Sequence, residues 1–255
     1  MVESQASGVP SNDTTPAKEN LSSVGEDNYG YDLYPERKGE QYKPGWKKVL
    51  LGQAGYHIDK VKCERNVYSC AKNSPLVKLM MAALRSSGCS FDIRRHVACE
   101  DCEPTVSGGY DPKLNQVVIC QNMVHSEGTV QGILTHEMIH MFDYCNNKLD
   151  FKNVDHLACT EIRAANLTHC SFLSAWAQGD ASPFDVKKRH QECVKTKAVA
   201  SVMAVRNISA KEACDAVERV FNRCYNDLEP IGRRIRRNSY DMQKAYMEAP
   251  LYGYE

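Results

Sequence analysis

Two histidines and a glutamate near the middle of the chain have the spacing of a metal site. His136, Glu137 and His140 form a His-Glu-x-x-His segment within a run of helical periodicity. Four helical residues advance the chain by about 6 Å and return the side chain to nearly the same side of the helix. The two imidazoles can therefore bind one zinc ion, each at about 2.0–2.1 Å. In a chain of this composition, chance would produce the three-residue pattern only about 0.02 times.

Glu137 lies about 100° around the same helix from His136, beside the expected ion but not bound to it. From that position its carboxylate can take a proton from a water molecule that zinc has acidified, and can pass it to a leaving amine. A structural histidine pair is the alternative interpretation, and it leaves the glutamate unexplained. The motif therefore predicts a zinc site that hydrolyses peptide bonds.

A catalytic zinc site has three protein ligands and one open position, so a third ligand should follow the motif. In metzincins the extended motif places a glycine three residues, and a histidine six residues, after the second histidine. Asp143 and Asn146 occupy those positions, which excludes that subclass.

Glu161 stands in the second turn of the next predicted helix, where Ala158 and Ala165 flank it on the same face. Small neighbours allow two helices to approach closely, so we expect Glu161 to be the third metal ligand. His156 and Asp155, at the start of the same helix, are the alternatives. Two further histidines, His169 and His190, are interpreted as ordinary surface or core residues; the alternative is that one of them assists the transition state.

The apolar segment Gln116–Cys120 precedes the metal helix by a short loop and is predicted to be a β-strand. In many zinc peptidases such a strand borders the cleft and holds an extended substrate by main-chain hydrogen bonds. Val117 and Ile119 are therefore candidate substrate-binding residues. An ordinary buried strand would explain the same apolar run.

The elements that must position these residues follow from caps, breakers and periodicity. Ser74 and Pro75 should begin a helix that ends by Gly88. Short strands are predicted over 91–97 and 116–120, with turn residues between them at Gly108, Gly109 and Asp111-Pro112. Four later helices are predicted at about 129–145, 155–178 (capped by Asp155), 185–205 and 210–227. The order predicts an α+β fold, in which a small sheet packs on a mainly helical, zincin-like (gluzincin-type) metalloprotease domain.

The two ends of the chain differ from this central part. Residues 1–44 are polar and lack apolar periodicity, so they are predicted to be a disordered arm. The metalloprotease domain would then span 45–230. Residues 231–255 are predicted to be a basic tail, because Arg233, Arg234, Arg236 and Arg237 cluster around Ile235. That cluster has two interpretations. It is a solvated helix end, or it contacts an anionic membrane surface or an acidic partner.

Charge and hydropathy exclude several classes of protein. Lys plus Arg and Asp plus Glu number 32 each, so no net field attracts nucleic acid to the whole molecule. The apolar runs are shorter than the roughly 18 residues that a membrane span needs. The first thirty residues contain no apolar block and several acidic side chains, which argues against a secretory signal and against an ordinary mitochondrial transit peptide.

The twelve cysteines are the unusual feature of the composition. They are buried small hydrophobes in a cytosolic protein, or they form a disulfide framework, which requires an oxidising compartment. With no signal peptide, a framework points to the mitochondrial intermembrane space. If Cys214 and Cys224 share a helix, they are about 15 Å apart and each needs a partner on another element. Cys99 and Cys102 could be a redox CxxC pair, but membership in structural disulfides is the favoured interpretation.

Taken together, His136–His140, the stretch from Asp155 to Leu167 and the scattered cysteines resemble the mitochondrial inner-membrane protease and ATP synthase assembly factor family. The resemblance covers about residues 45–230. It implies a peripheral enzyme on the intermembrane-space side of the inner membrane. Such an enzyme removes the N-terminal leader of a mitochondrially encoded proton-channel subunit of ATP synthase and helps that subunit to assemble. The resemblance carries over His136 and His140 as metal ligands and Glu137 as the catalytic residue, whereas Glu161 rests mainly on spacing.

Two other functions remain open at this point. The protein could be a chaperone-like assembly factor for the ATP synthase membrane sector whose peptidase activity is secondary. It could also be a thiol oxidoreductase that uses Cys99 and Cys102, in which case these two cysteines would form a pair.

Overall fold

The computed structural model describes residues 33–38, 54–170, 186–236 and 239–255. Its helices and strands follow the α+β order that the sequence predicts. The α-helices are α1 (Ala54–Asn73), α2 (Pro75–Ser86), α3 (Ile93–His96), α4 (Glu127–Asn146), α5 (Val154–Ala164), α6 (Val186–Arg206), α7 (Ala210–Asn226) and α8 (Asp241–Glu248). The strands are β1 (Val97–Glu100), β2 (Gly108–Asp111) and β3 (Gln116–Cys120). A π turn at Ala165–His169 and 3-10 turns at Pro35–Lys38 and Ala249–Tyr252 complete the described elements.

The three strands form one sheet in the order β1-β3-β2. The central strand β3 runs parallel to β1 and antiparallel to β2. The predicted strand over 116–120 is thereby confirmed. The predicted strand over 91–97 is wrong, because the Asp92 carboxylate accepts hydrogen bonds from the amides of Arg94 and Arg95 and so begins the helical turn α3. The strand β1 starts only at Val97.

Gly108 and Gly109 also differ from their predicted place in a turn. Both belong to β2, which pairs with β3 in the register Gly108 to Ile119 and Gly109 to Val118. The turn itself follows at 112–115. Glycine is common in turns, but here its small size lets other groups approach the strand closely.

Side-chain caps fix where several helices begin. The Ser74 hydroxyl accepts from the amide of Val77 and Pro75 starts α2, as predicted. The Ser126 hydroxyl accepts from the amide of Thr129, so α4 starts two residues before the predicted position. For α5 the predicted cap is wrong: the Asn153 side chain, rather than that of Asp155, accepts from the first amides.

The end of the α5 segment also differs from the prediction of a helix to about residue 178. The α-helix ends at Ala164 and one π turn continues to His169. Cys170 then has an extended backbone and forms a disulfide with Cys193 of α6, so the helix does not continue through it. Residues 171–178 of the predicted helix lie outside the described residues. The helices predicted at 185–205 and 210–227 are confirmed, within one residue at each end.

The buried apolar side chains form two main clusters. The first cluster joins α1, α2, α4, the sheet, the end of the α5 segment and the C-terminal segment, and includes Leu79, Leu84, Ile119, Leu134, Ile139 and Leu167. The second joins α5, α6 and α7, and includes Leu157, Ile162, Ala198, Val217 and Phe221.

Five disulfides cross-link the described residues, which confirms the predicted framework. They join Cys63 to Cys99, Cys89 to Cys145, Cys102 to Cys120, Cys159 to Cys224, and Cys170 to Cys193. Cys99 and Cys102 therefore bond to different partners, and the thiol oxidoreductase hypothesis is wrong. Cys224 has a partner on another helix, as predicted. Cys214 does not: it is a free, exposed thiol, and Cys70 is a free, buried one.

Six residues of the predicted disordered arm, 33–38, are folded against the sheet. The Arg37 guanidinium binds the carboxylates of Glu100 and Asp111, and the amide of Glu103 donates to the carbonyl oxygen of Leu33. The prediction of disorder is wrong for these residues, because their acidic partners are distant in sequence. The rest of residues 1–44 lies outside the described residues.

The predicted basic tail is also part of the fold. Ile231, Ala245, Ala249 and Tyr254 are members of the first core cluster. Of the four arginines, Arg233 pairs with Glu248 and Arg236 with Asp241, while Arg234 donates to the carbonyl oxygen of Tyr225 and to Asn166. Arg237 lies outside the described residues. The three described arginines of this cluster therefore have intramolecular partners, and Arg236 keeps an exposed side chain. None of the described helices combines the length and the hydropathy that crossing a bilayer requires.

Candidate active site

Helix α4 brings His136 and His140 together as their spacing predicts. The two Nε2 atoms are 3.2 Å apart and the ring centroids 4.8 Å apart. Glu137 lies beside them, and its side chain is also buried: the exposed fractions of the three residues are 8%, 7% and 5% in chain order. A histidine pair on a solvated helix surface would not have this burial, so the structure agrees with a built site.

Glu161 of α5 joins this pair. Its Oε2 is 3.7 Å from Nε2 of His136 and its Oε1 is 3.6 Å from Nε2 of His140. The two alternatives for the third ligand point elsewhere. Asp155 forms an ion pair with Arg219 of α7, and the exposed His156 accepts through Nδ1 from the amide of Asp150. Of these candidates, the structure places only Glu161 beside both histidines.

The geometry of the three side chains fits a tetrahedral ion. Ligand atoms at about 2.0–2.1 Å from such an ion lie about 3.3–3.4 Å from one another. The observed separations between Nε2 and carboxylate atoms are close to that value, and all three ligand atoms lie within 4.8 Å of one another. The Oε2 atom of Glu161 is buried and has no hydrogen-bond partner among the described residues. A nearby cation stabilises a buried carboxylate oxygen that lacks a hydrogen bond, so the cluster could hold a metal ion.

The surroundings change the acidity of these groups. Burial raises the pKa of Glu137 to about 7, with a further rise from the Glu161 charge and an opposing effect of His136. Burial lowers the pKa of His140 to about 4, which keeps its ring neutral. At His136 burial also lowers the pKa, but the neighbouring carboxylates of Glu161 and Glu137 outweigh it and raise the pKa overall. A carboxylate whose pKa is near 7 is suited to both accepting and returning a proton at neutral pH.

A cavity of about 130 Å³ opens beside the cluster. Strand β2 forms one of its walls, and residues of α5 and α6 form another. The lining residues include Leu33 and Tyr34 from the N-terminal segment, Gly108–Tyr110, Leu157, Ser201 and Val205. The buried carboxylates and imidazoles therefore line a small cavity that adjoins strand β2.

The candidate substrate-binding residues Val117 and Ile119 do not line this cavity. Both are fully buried, with exposed fractions of 0%, because β3 is the central strand of the sheet. The main-chain amides and carbonyls of a central strand are hydrogen-bonded to the neighbouring strands on both sides. Such a strand therefore cannot accept an added strand. This correction could not be foreseen from the apolar run, since strand order depends on tertiary contacts.

The sheet has two edge strands, β1 and β2, and β2 borders the cavity. The amide of Cys120 donates to the carbonyl oxygen of Ser107, so residues 107, 109 and 111 face β3 in the alternating antiparallel pattern. Gly108 and Tyr110 then direct their amides and carbonyls away from β3, toward the open edge. A Cβ atom at Gly108 would clash with Ile133 of α4 and lie 3.5 Å from Glu137 Oε1, so the edge lies close to the catalytic candidate.

Several side chains at the site lie outside the sequence motif and are not predicted from it. The Tyr34 hydroxyl donates to the carbonyl oxygen of Gly108 at 2.7 Å. Thr160 contacts Nδ1 of His140 at 2.9 Å, and Thr168 lies 3.4 Å from Nδ1 of His136. The position of Thr160, directly before Glu161, is the one clue that spacing could have offered.

The two remaining histidines differ in their surroundings. The exposed ring of His169 lies against His136, with 4.6 Å between centroids. His190 is a core residue, because its ring nitrogens bond to the Tyr225 hydroxyl and the carbonyl oxygen of Cys170. His190 is therefore a structural residue, as its ordinary interpretation predicts.

The sequence matches known proteins over most of its length. The profile of the peptidase M76 family matches residues 61–232. A zebrafish (Danio rerio) protein named mitochondrial inner membrane protease ATP23 homolog is 42% identical, with 82% of this chain and 79% of the relative covered. The Xenopus laevis protein of the same name is 40% identical, with coverages of 88% and 92%. In Schizosaccharomyces pombe, mitochondrial inner membrane protease atp23 is 34% identical, with coverages of 68% and 92%.

No solved structure matches the chain. The family assignment therefore rests on the sequence matches, and the His–Glu–His motif lies inside the region that the family profile covers. The chain belongs to the peptidase M76 family and is a metalloprotease.

Proposed function

We propose that this protein is a zinc-dependent endopeptidase with a zincin-like, gluzincin-type site. In it, His136, His140 and Glu161 bind the metal and Glu137 is the catalytic residue. The observation that supports this most directly is the burial of all four side chains around one cavity whose other wall is the edge strand β2. Two imidazoles and one carboxylate are a common ligand set of catalytic zinc, which keeps its fourth position open.

The proposed reaction is hydrolysis of an internal peptide bond. A zinc ion held by the three side chains would supply a Lewis acid that polarises the scissile carbonyl and acidifies a water molecule. Glu137 accepts one proton from the attacking water, whose oxygen forms the new bond to the carbonyl carbon. The same carboxyl group gives that proton to the amide nitrogen as the C–N bond breaks.

The substrate would bind as an extended segment along β2. The main-chain groups of Gly108 and Tyr110 point to the open edge and could pair with a peptide by strand addition. Because the Tyr34 hydroxyl already bonds to the carbonyl oxygen of Gly108, an incoming peptide would have to replace it there. This role for Gly108 and Tyr110 takes the place of the one first assigned to Val117 and Ile119.

The proposed substrate is the precursor of a mitochondrially encoded proton-channel subunit of ATP synthase, cut after its N-terminal leader. The names of the relatives, mitochondrial inner membrane protease, support a protein substrate at that membrane. The five disulfides support an oxidising compartment. We therefore place the enzyme at the intermembrane-space side of the inner membrane, attached peripherally.

Assistance to the assembly of the same subunit is the second candidate function. The open edge of β2 favours it, because an edge that holds an extended segment can deliver the segment as well as present it for cleavage. The two functions differ in their need for Glu137. Glu137→Gln should abolish cleavage and leave assembly of the ATP synthase membrane sector intact.

The decisive experiment measures zinc content and precursor cleavage in the purified, oxidised full chain. Wild type should hold one zinc ion and cleave the precursor, Glu137→Gln should hold zinc without cleaving, and Glu161→Ala should lose zinc. His156→Ala is the matched control, since it removes the alternative ligand and should retain both properties. Zinc retention and cleavage by Glu161→Ala, or loss of zinc in His156→Ala, would refute the proposed ligand set.

A further inference from the structure

We propose that Thr160 and Thr168 are positioning residues. Each fixes one of the two histidines with its proton on Nδ1, so that the lone pair of Nε2 is directed to the metal. This inference rests on the proposed zinc site and adds residues that neither the motif nor the expected ligand set contains.

The Thr160 hydroxyl lies between a carboxylate and an imidazole. Its Oγ1 is 2.6 Å from Oδ2 of Asp143 and 2.9 Å from Nδ1 of His140. A hydroxyl group has one hydrogen to donate, and an ionised carboxylate can only accept. The hydrogen of Thr160 therefore goes to Asp143, and its oxygen accepts the hydrogen from Nδ1 of His140. A neutral imidazole with its hydrogen on Nδ1 has the free lone pair on Nε2, which is the atom that faces His136 and Glu161.

Asp143 is held in the ionised state by Arg163. The guanidinium of Arg163 forms an ion pair with the Asp143 carboxylate, a second one with Asp227 at 3.2 Å, and a hydrogen bond to the carbonyl oxygen of Glu229. Arg163 and Asp143 are both buried, with exposed fractions of 4% and 2%. Pairing of this kind makes protonation of Asp143 unfavourable, so the direction of the Thr160 hydrogen bond is fixed.

Thr168 has the same arrangement at the other histidine. Its Oγ1 donates to the carbonyl oxygen of Ala164 at 2.6 Å and lies 3.4 Å from Nδ1 of His136. With its hydrogen used by the carbonyl, Thr168 can only accept from His136. The longer distance predicts a weaker effect than that of Thr160.

The π turn explains how one segment reaches both histidines. Eight residues along a regular α-helix rotate the side chain by about 80°, which would turn Thr168 away from the face of Thr160. The turn Ala165–His169 is wider, and the extra residue reduces that rotation. Glu161 and the two threonines therefore approach the histidines from the same segment. Partners of this type typically change metal affinity by 10- to 100-fold when they are removed.

The test is zinc affinity of the full chain, measured by competition with a chelator of known affinity, for Thr160→Val, Thr168→Val and Thr160→Ser. Thr135→Val is the matched control, because the buried Thr135 hydroxyl donates to the carbonyl oxygen of Gln131 within α4. Thr160→Val should weaken zinc binding by about 10- to 100-fold, and Thr168→Val by less. Thr160→Ser should restore affinity, and Thr135→Val should bind like wild type.

Each outcome has a distinct meaning. Wild-type affinity in Thr160→Val, or equal losses in Thr160→Val and Thr135→Val, would overturn the positioning role while leaving the zinc site intact. A wild type that binds no zinc would instead refute the proposed function. Should Thr160→Val fail to fold, long-range ¹H–¹⁵N correlation spectra of metal-free wild type still decide the question. They should show the hydrogen of His140 on Nδ1, and a hydrogen on Nε2 would overturn the proposal.

Discussion

The hydroxyl of Tyr34 donates a hydrogen bond to the carbonyl oxygen of Gly108, at 2.7 Å. Gly108 belongs to the open edge of the sheet, beside the catalytic candidate Glu137. Tyr34 precedes the region that the family profile matches, which starts at residue 61. A part of the chain outside the matched region therefore borders the cavity and occupies an acceptor that a bound peptide would use.

Removing this hydroxyl should ease substrate binding. Tyr34→Phe frees the carbonyl oxygen of Gly108, and one neutral hydrogen bond contributes about 0.5–1.5 kcal/mol. We expect KM for the precursor to fall by about 2- to 10-fold with kcat unchanged, as steady-state kinetics would show. Tyr68→Phe, at an exposed position of α1, is the control and should change neither constant. A higher KM in Tyr34→Phe would show that the hydroxyl binds the substrate instead.

Arg37 should decide whether the N-terminal segment stays docked. Its guanidinium binds Glu100 and Asp111, at 2.8 Å and 2.6 Å, and its charge-assisted bonds are worth about 1.5–3 kcal/mol each. In Arg37→Ala we expect hydrogen exchange at the amide of Glu103, which donates to the carbonyl oxygen of Leu33, to accelerate by about tenfold or more. Arg219→Ala, which removes an exposed ion pair, should leave that amide protected. Unchanged exchange in Arg37→Ala would show that other contacts dock the segment.

Gly108 should tolerate no side chain. The Cβ atom of alanine would clash with Ile133 and lie 2.9 Å from the carbonyl oxygen of Val118, so β2 would have to move away from α4. We expect Gly108→Ala to lower the free energy of unfolding by about 1–3 kcal/mol in urea denaturation. Gly132→Ala is the control: it meets nothing within 4 Å on α4 and should raise stability by about 0.5–1 kcal/mol. Equal effects of the two substitutions would contradict the close packing of strand and helix.

The predicted part of the site and the missed part differ in the range of the interactions that build them. His136, Glu137, His140 and the helix that carries them follow from local spacing, because helical geometry alone puts both rings on one side. Glu161 could be predicted from its small neighbours and its place in the next helix. These positions depend on contacts that helical periodicity encodes.

The missed features depend on contacts between segments that are distant in sequence. Strand β2 contains Gly108 and Gly109, which are typical turn residues, and the order of strands is absent from any local pattern. The sequence around Tyr34 and Arg37 is polar and predicts disorder. It gives no indication that these two side chains bind partners on the sheet. Thr168 reaches His136 only because a π turn follows the α-helix. No residue type in this segment predicts that turn.

The disulfide between Cys159 and Cys224 should support both stability and metal binding. It joins α5 to α7, and Cys159 lies two residues before Glu161. We expect replacement of both cysteines by serine to cost about 2–5 kcal/mol of unfolding free energy and to weaken zinc binding. Cys214→Ser, at the exposed free thiol, should change neither quantity. The idea fails if the double variant melts and binds zinc like wild type.

The C-terminal helix should depend on an ionised Asp241. Hydrogen bonds from the Arg236 guanidinium, against the opposing effect of burial, hold the pKa of Asp241 well below its ordinary value. A carboxyl group with a lower pKa in the folded state adds stability above its unfolded pKa of about 3.9, and that stability is lost as the pH falls toward the folded value.

We therefore expect Asp241→Asn to lose about 1–3 kcal/mol at pH 7 and progressively less than that below about pH 4, measured by urea denaturation. Asp215→Asn is the control, because Asp215 pairs with Lys211 on an exposed helix surface and should have a smaller effect. A loss for Asp241→Asn that does not vary with pH would contradict the role of its charge.

The proposed zinc site takes its ligands from two helices. Both histidines come from α4, whose buried apolar residues belong to the first cluster, and Glu161 comes from α5, which contributes to both clusters, so a bound ion would add a cross-link between α4 and α5. A ligand that binds only the folded state stabilises that state, so the ion would tie these two helices together as well as take part in catalysis. A chain without the ion would lack this cross-link, and its α4 and α5 amides should exchange faster than those of the metal-loaded chain.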